Sequence, residues 1–412
     1  MDEAAAKKLH DRPPADPTLD KKPWGLLLLL MAMTSIGPTT LNILVPAIPQ
    51  LSRKLWAEVA TLQLTVSLFL VGLAVAQLVM GPLSDRFGRR PVLLAGMALT
   101  AAASLMAIAV STAESLIVAR ILQAVGASTG IVVGRAIIRD LFDKNRAASM
   151  IGLVATVMVV VPTFGPLIGG LLDTAFGWES IFLFTAVTSI AVLIWIAVTL
   201  PETRGLNVPA GAQASFWRDL RALGHSGSFA GYVLVASFGS ATFFAFLGGG
   251  PHVIVTLMER SSAEYGLWFA VSSIGYMSGN FAASRLSMRH GIDTLIWWGI
   301  GVEVAGVAIA VALAMFAHHW GPVIVFVPQM IISVGNGLML PGAISGAVSV
   351  RPQAAGTASG ITGCIQMALG AAVTQYSGML LADASSAVPM ALLMVALIAI
   401  CAVSFAALAR RG

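Results

Sequence analysis

Two ionisable residues stand inside long apolar runs, where a charge is expensive and therefore calls for a use. Arg120 opens the stretch Arg120-Ile-Leu-Gln-Ala-Val-Gly126, about 9 Å in from Glu114 at a helical rise of about 1.5 Å per residue. An arginine at that depth costs about 2.5 to 3.5 kcal/mol on insertion scales. Glu303 lies about 15 Å along a helix from Asp293, roughly half the thickness of a bilayer's hydrocarbon core. A carboxyl there suits the uptake and release of a proton, so Glu303 is a candidate for proton coupling, while Arg120 at its depth must serve a function or snorkel to the interface. Packing of Glu303 against a neighbouring helix is the competing reading. Bond-making chemistry is not indicated. The six histidines show no His-Glu-x-x-His spacing, and Cys364 and Cys401 sit in apolar runs as small hydrophobes. With no nucleophile-base pair and no metal-type cluster, no enzyme, metal or cofactor is expected. His252, His318 and His319 fall near helix ends and are read as solvated, and Asp173 and Asp383 as interfacial.

These residues need elements that tolerate them in lipid. The chain has 412 residues, 57% hydrophobic and 10% charged, with a mean hydropathy of +0.87. That balance excludes a water-soluble domain and a disordered chain. A spanning helix takes about 20 apolar residues, and twelve such runs follow one another between residues 24 and 409. The expected fold is an all-α membrane protein of twelve transmembrane helices in two pseudo-symmetric six-helix bundles. The bundles are residues 24–200 and 228–412, preceded by a cytoplasmic tail, 1–23, and joined by a cytoplasmic linker, 201–227.

The net charge of +5 is explained by the connections. Nearly all of the 24 Lys and Arg fall on one side, while the other side holds only Arg53, Lys54 and Arg260. Arg135, at the end of the fourth run, is an interface anchor. The asymmetry predicts cytoplasmic termini and makes nucleic acid an unneeded partner.

Several passages fit this frame. Gly81-Pro-Leu-Ser-Asp-Arg-Phe-Gly-Arg-Arg90 joins the second and third runs with almost no spare residues. Its glycines permit a tight reversal, and Asp85 is placed to accept from helix N-terminal amides. The connection from Gly279 to Gly291 echoes it in the other half, the kind of repetition expected of two bundles around a midplane site. In the fifth run, Gly165-Pro166-Leu-Ile-Gly169-Gly170 sets small residues beside a proline, giving a bend and a close helix approach. Thr39, Asn42, Gln63, Phe243, Phe246, Tyr276, Asn336 and Gln366 are the candidates to line a central cavity. Such a lining suits a lipophilic neutral or weakly charged molecule better than a sugar.

Gly81, Leu83, Asp85, Arg86, Gly88, Arg89 and Arg90 match the cytoplasmic motif of the major facilitator superfamily, which the chain resembles from about Trp24 to its C-terminus. The resemblance implies the major facilitator fold, with this motif as a charge-relay lock that holds the two bundles together inside and stabilises an outward-facing state. Arg120, Gln123 and Gly126 resemble the fourth-helix pattern, with Ala124 in place of a glycine; the family uses this arginine in proton coupling. Gly165, Pro166, Gly169 and Gly170 resemble the antiporter motif, with Val161 in place of its first glycine, and favour antiport over symport. Val45-Pro-Ala-Ile-Pro49, Gly249-Gly-Pro251, Pro341 and Ala355-Gly-Thr-Ala-Ser-Gly360 narrow the resemblance to the Bcr/CflA-type drug:proton antiporters. Members of that branch usually carry a first-helix acid where Asn42 stands here.

What the resemblance implies is proton-coupled efflux of small lipophilic compounds, multidrug or antibiotic export, by alternating access. It implies a multi-pass protein of the bacterial inner membrane, a monomer, whose partners are a small lipophilic substrate, protons and the lipid bilayer. The alternative is a facilitator or symporter of a small metabolite. A membrane sensor would lack a soluble domain to pass its signal on.

Overall fold

The computed structural model describes residues 23–141, 150, 154, 157, 161, 163–203, 221–316, 320–351 and 354–408. The N-terminal tail, most of the linker, much of the fifth run, and His318 and His319 lie outside the described residues. Twelve helices carry the fold: α1 Pro23–Ile43, α2 Val59–Phe87, α3 Arg89–Ile108, α4 Ala113–Leu141, α5 Gly165–Phe176, α6 Glu179–Thr199, α7 Gly227–Pro251, α8 Ser262–His290, α9 Ile292–Phe316, α10 Val323–Ser349, α11 Ala355–Leu381 and α12 Val388–Leu408. Among the described residues, nine helices are long and apolar enough to cross a bilayer. The fifth is described only over its last turns. Helices α8 and α11 are long but rich in Gly, Ser and Thr. Their composition follows from position, because α8 packs against α5 and α11 against α2, across the boundary between the halves.

The two halves repeat one another in their packing. α1 meets α4, α5 and α6 as α7 meets α10, α11 and α12; α4 meets α2 and α3 as α10 meets α8 and α9; and α3 meets α6 as α9 meets α12. Small residues allow the close approaches at the centre of each half. A Cβ at Gly126 of α4 would press on the Gly96 carbonyl of α3, and one at Gly130 would run into the Met33 carbonyl of α1. The sequence echo is also a structural one. A single residue, Gly88 at φ 102°, joins α2 to α3, and a single residue, Gly291 at φ 76°, joins α8 to α9. Each donates its N–H to a serine carbonyl, Ser84 or Ser287, and each backbone lies where L side chains are strained. On the outside of the bundles, large apolar side chains such as Val187, Val198 and Val403 are exposed, as a lipid solvent requires.

Among the described residues, the halves are pressed together at the end far from Gly88 and Gly291. There a Cβ at Gly170 of α5 would run into the Ser262 carbonyl of α8, and one at Gly266 into the Pro166 carbonyl. The Ala263 N–H donates to Thr174 Oγ1 at 3.3 Å, and the Ser262 hydroxyl to the Pro46 carbonyl at 3.1 Å. On the other flank, Ser67 Oγ donates to Gln375 Oε1 at 3.1 Å and Gln375 Nε2 to the Ala60 carbonyl at 2.8 Å. At the arginine-bearing end the halves part around a cleft of about 380 Å³. Gly81, Asp85, Arg89 and Arg135 line one side of it, and Ser359, Gly360, Gly363 and Cys364 the other.

Candidate functional site

Between the halves lies a cavity of about 300 Å³, lined from α1 by Pro38, Leu41 and Asn42 and from α2 by Leu73. The other half supplies most of the wall, with Phe243, Phe244 and Phe246 on α7, Phe269 and Tyr276 on α8, Asn336 on α10 and Gln366 on α11. None of the lining side chains carries a formal charge. Met367 lines both this cavity and the arginine-end cleft, so the two adjoin, while the far end is sealed by the contacts of α5 with α8 and α2 with α11.

Six of the eight residues expected in the cavity are brought together there: Asn42, Phe243, Phe246, Tyr276, Asn336 and Gln366. Thr39 and Gln63 are not. Gln63 is fully buried at the far-end seam, donates from Nε2 to the Gly248 carbonyl, and packs where a Cβ at Gly378 would sit. Its amide ties α2 to the other half instead of facing a ligand. Thr39 sits on the same helix as Asn42 but lies outside the lining, with its hydroxyl buried and without a partner among the described residues.

Arg120 does not snorkel. It is 1% exposed, and its guanidinium donates to the Thr65 carbonyl (3.2 Å), the Thr40 carbonyl (2.9 Å) and Gln123 Oε1 (2.9 Å), tying α4 to α2 and α1. Gln123 in turn donates to Ser104 Oγ of α3 at 2.7 Å. Carbonyl dipoles therefore solvate this cation, with no ion-pair partner within the described residues. Glu303 is also fully buried, but behind α10 and away from the cavity, with its Cγ against Gly335. Neither of its carboxyl oxygens has a hydrogen-bond partner among the described residues.

The turn at Gly88 is held differently from the expectation. Glu202, not Asp85, takes the amides at the start of α3: its carboxylate accepts from Arg89 N at 2.8 Å and Arg90 N at 3.2 Å, and also from the neighbouring Thr203 N at 3.0 Å. Asp85 lies on the last turn of α2 and pairs with Arg89 one turn on. Arg89 also donates from Nε to Asp140 Oδ2 of α4 at 2.9 Å and from Nη1 to Ser84 Oγ at 2.7 Å, and Arg90 donates to the Ala197 carbonyl at 2.6 Å. Arg86 lies against the Phe87 ring, its Cζ 5.3 Å from the centroid, and Leu83 packs, partly buried, against the apolar cluster shared by α1, α3, α4 and α6. Gly165 and Gly169 of α5 pack on Asn42 and Ile43 of α1, whereas Pro166 and Gly170 meet α8, so the glycine-proline stretch builds the far-end seam.

Two further expectations are corrected. Asp173 is buried at 3% exposure beside Ser262 at the seam, and His252 is buried in the π-helical turn that follows α7. Positions near helix ends predict an interfacial carboxylate and a solvated imidazole; the close far-end packing removes both from water.

A bundle of twelve helices, repeated in halves around one cavity, is matched along most of its length by known sequences. The profile described as Major Facilitator Superfamily covers residues 27–374. The chain belongs to the Major Facilitator Superfamily. It is 31% identical over 360 residues to multidrug resistance protein D of Escherichia coli (strain K12), covering 86% of this chain and 89% of that one. It is 30% identical over 341 residues to the chloramphenicol resistance protein of Pseudomonas aeruginosa, covering 82% and 80%. These relatives are consistent with the Bcr/CflA-type drug:proton antiporter branch. Among solved structures, a bacterial homolog of the human lysosomal transporter Spinster, inward-facing and unoccupied, superposes with a TM-score of 0.71 at 15% identity, covering 92% of this chain and 95% of that one. At that identity the likeness concerns the fold. The family, the apolar helices and these bacterial relatives indicate a multi-pass protein of the bacterial inner membrane that takes a small-molecule substrate.

Proposed function

We propose that the chain exports small, uncharged lipophilic compounds in exchange for protons, by alternating access of the central cavity. One observation carries the reading: an uncharged cavity between two repeated halves that adjoins a cleft at the arginine-bearing end and is shut at the other. With the arginine-rich connections in the cytoplasm, this is an inward-facing arrangement ready to take cargo from the cell or the inner leaflet. Export then requires the seam of α5 with α8 and α2 with α11 to part while Asp85, Arg89 and α11 close together. The names of the drug-resistance relatives support antibiotics as cargo, and chloramphenicol is the first compound to try.

Proton coupling is assigned to Glu303 and Arg120. Both are buried groups whose ionic forms have no counter-charge among the described residues, so a change of protonation at Glu303, or of conformation at the always-charged Arg120, is coupled to the packing around it. The same cavity favours a second reading. No carboxylate lines it, and a facilitator that follows the cargo gradient needs none.

Everted membrane vesicles separate the two. An inward-directed chloramphenicol flux that rises when the vesicle interior is made acid, and falls in Glu303→Gln, supports exchange with protons. Flux that ignores the proton gradient and tracks the cargo gradient establishes the facilitator.

A further inference from the structure

The far-end seam holds a buried acid to which the transport reading gives no role. Asp173, near the end of α5, is 3% exposed, and neither of its carboxyl oxygens has a hydrogen-bond partner among the described residues. Its polar neighbour is Ser262 of α8, on the other half of the molecule. The single proton of the Ser262 hydroxyl goes to the Pro46 carbonyl at 3.1 Å, and its oxygen accepts from Gln50 Nε2 at 3.5 Å. What Ser262 offers Asp173 is therefore a lone pair. An ionised Asp173 could claim that proton only from the Pro46 carbonyl, and its second oxygen would still be bare. A protonated Asp173 brings its own proton and gives it to Ser262 Oγ.

The charges around the seam do not replace the missing donors. Glu179 of α6 repels a negative Asp173; Lys54, on the short helix Ile48–Lys54 after α1, is engaged by Glu179 at 3.6 Å, and Arg53 beside it is exposed. At the start of α8, Glu264 pairs with Arg260 at 4.0 Å. α1 and the turn Val45–Ala47, which also pack on α5, carry no titratable side chain. Among the described residues no cation lies within ion-pair distance of Asp173.

We propose that closing the far-end seam takes up one proton at Asp173 from the side the open seam faces, and that parting the seam gives it back. The neutral acid packs against Ser262, whereas the carboxylate is satisfied only by the water that an open seam admits. This proton enters and leaves on one side, so it is not the one exchanged for cargo; it sets the balance between the closed and open seam. In water Asp173 ionises above about pH 3.9, while the closed seam keeps it protonated. Acid therefore favours closure, by up to about tenfold in the closed-to-open ratio per pH unit. With the far end outside, an acid exterior returns the emptied carrier to the arrangement that faces the cell. This inference rests on the alternating-access reading and adds to it the group that senses the outer pH.

The test is the distance between spin labels at Ser111 and Ser385, exposed far-end positions on the two halves, in the purified full chain with Cys364 and Cys401 replaced by alanine. Between about pH 8 and about pH 5 the short-distance population is expected to grow against the long one by up to about tenfold per unit. Asp173→Asn, uncharged throughout, is expected to hold the short distance at every pH; should it lose its thermal unfolding transition, Asp173→Ser takes its place. Distances indifferent to pH, or a pH response that persists in the Asp173 variant, overturn the assignment, and with cargo flux intact in vesicles they leave alternating access standing. Acid that lengthens the distance also overturns it and points to His252, the buried imidazole at the same end, which can gain a proton when water reaches it. A single short distance together with no cargo flux strikes alternating access, and this inference with it.

Discussion

The Arg120 guanidinium of α4 lies over the ring of Phe69 of α2, with Cζ 4.3 Å from the ring centroid, so that one helix of the N-terminal half holds its cation on the aromatic face of a neighbour. Together with the carbonyls of Thr65 and Thr40 and the amide of Gln123, the ring completes a shell with no carboxylate in it. Such a shell is planar and forked, matched to a guanidinium and not to an ammonium. Arg120→Lys keeps the charge, yet is expected to lower cargo flux at least about tenfold, because a single point donor cannot reach α1, α2 and Gln123 at once. Flux in vesicles, normalised to the amount of folded protein, checks it; a lysine variant with wild-type flux means that charge alone matters at this position.

The acids around Arg89 are unequal partners. Asp140 meets Arg89 at 2.9 Å with both side chains 8% exposed, whereas Asp85 is 65% exposed. Asp85→Asn is therefore expected to change the unfolding free energy by less than about 1 kcal/mol, the range of surface pairs. Asp140→Asn is expected to cost more, though less than the about 3 to 5 kcal/mol of a fully isolated buried pair, because Arg89 keeps Ser84 and Asp85. Thermal unfolding of the two variants in the same detergent gives the order, and a larger loss in Asp85→Asn reverses the assignment. Both acids line the cleft, but Asp140 is the buried tie of Arg89 to α4, whereas Asp85 is largely exposed to it.

How far these sites could be read from the chain depended on where the partners lie along it. The seven matched positions from Gly81 to Arg90 are local, so their turn was legible, down to the glycine at φ 102°. Their anchors were not. Asp140 and Glu202 are acids at the ends of α4 and α6, indistinguishable by position from interfacial carboxylates until those helix ends are brought to the turn. Asn42, Phe243, Phe246, Tyr276, Asn336 and Gln366 were legible as polar or aromatic residues on apolar runs, and they do line the cavity. Gln63 has the same signature and a different place, since its partner is the Gly248 backbone of the other half, and a backbone carbonyl carries no sequence signal. Burial of Asp173 and His252 was hidden for a related reason: it comes from contact between the halves, which no single helix reveals.

The far-end seam depends on backbone-to-backbone approach, and glycine is the only residue that permits it. Gly170→Leu would drive a side chain into the Ser262 carbonyl of α8. The closed seam is then excluded, and the halves are expected to part at that end. Spin labels at the exposed positions Lys54 and Glu259, one on each half, are expected to give a longer distance in Gly170→Leu than in the wild type. An unchanged distance with a folded variant shows that α5 and α8 can shift to accept the side chain without opening.

The two cysteines report on the opposite end. Cys364 lines the cleft at the arginine-bearing end, within the first turns of α11, whereas Cys401 is fully buried on α12 with its thiol directed at the Val235 carbonyl, 3.8 Å away. A membrane-impermeant maleimide is therefore expected to modify Cys364 and to leave Cys401 intact, since a thiol reacts only where reagent and water reach it. Orientation enters through the choice of vesicle. If the arginine-rich connections are cytoplasmic, everted vesicles present the cleft to the reagent and react quickly, while right-side-out vesicles react slowly. Gly170→Leu, by favouring the arrangement open at the far end, is expected to slow the reaction at Cys364, because the cleft must close as the seam opens. Mass spectrometry of the labelled peptide separates the two thiols. Equal labelling of Cys364 from both faces would contradict the one-sided cleft, and labelling that is indifferent to Gly170→Leu would uncouple the two ends, leaving a cavity that cannot be offered alternately to the two sides.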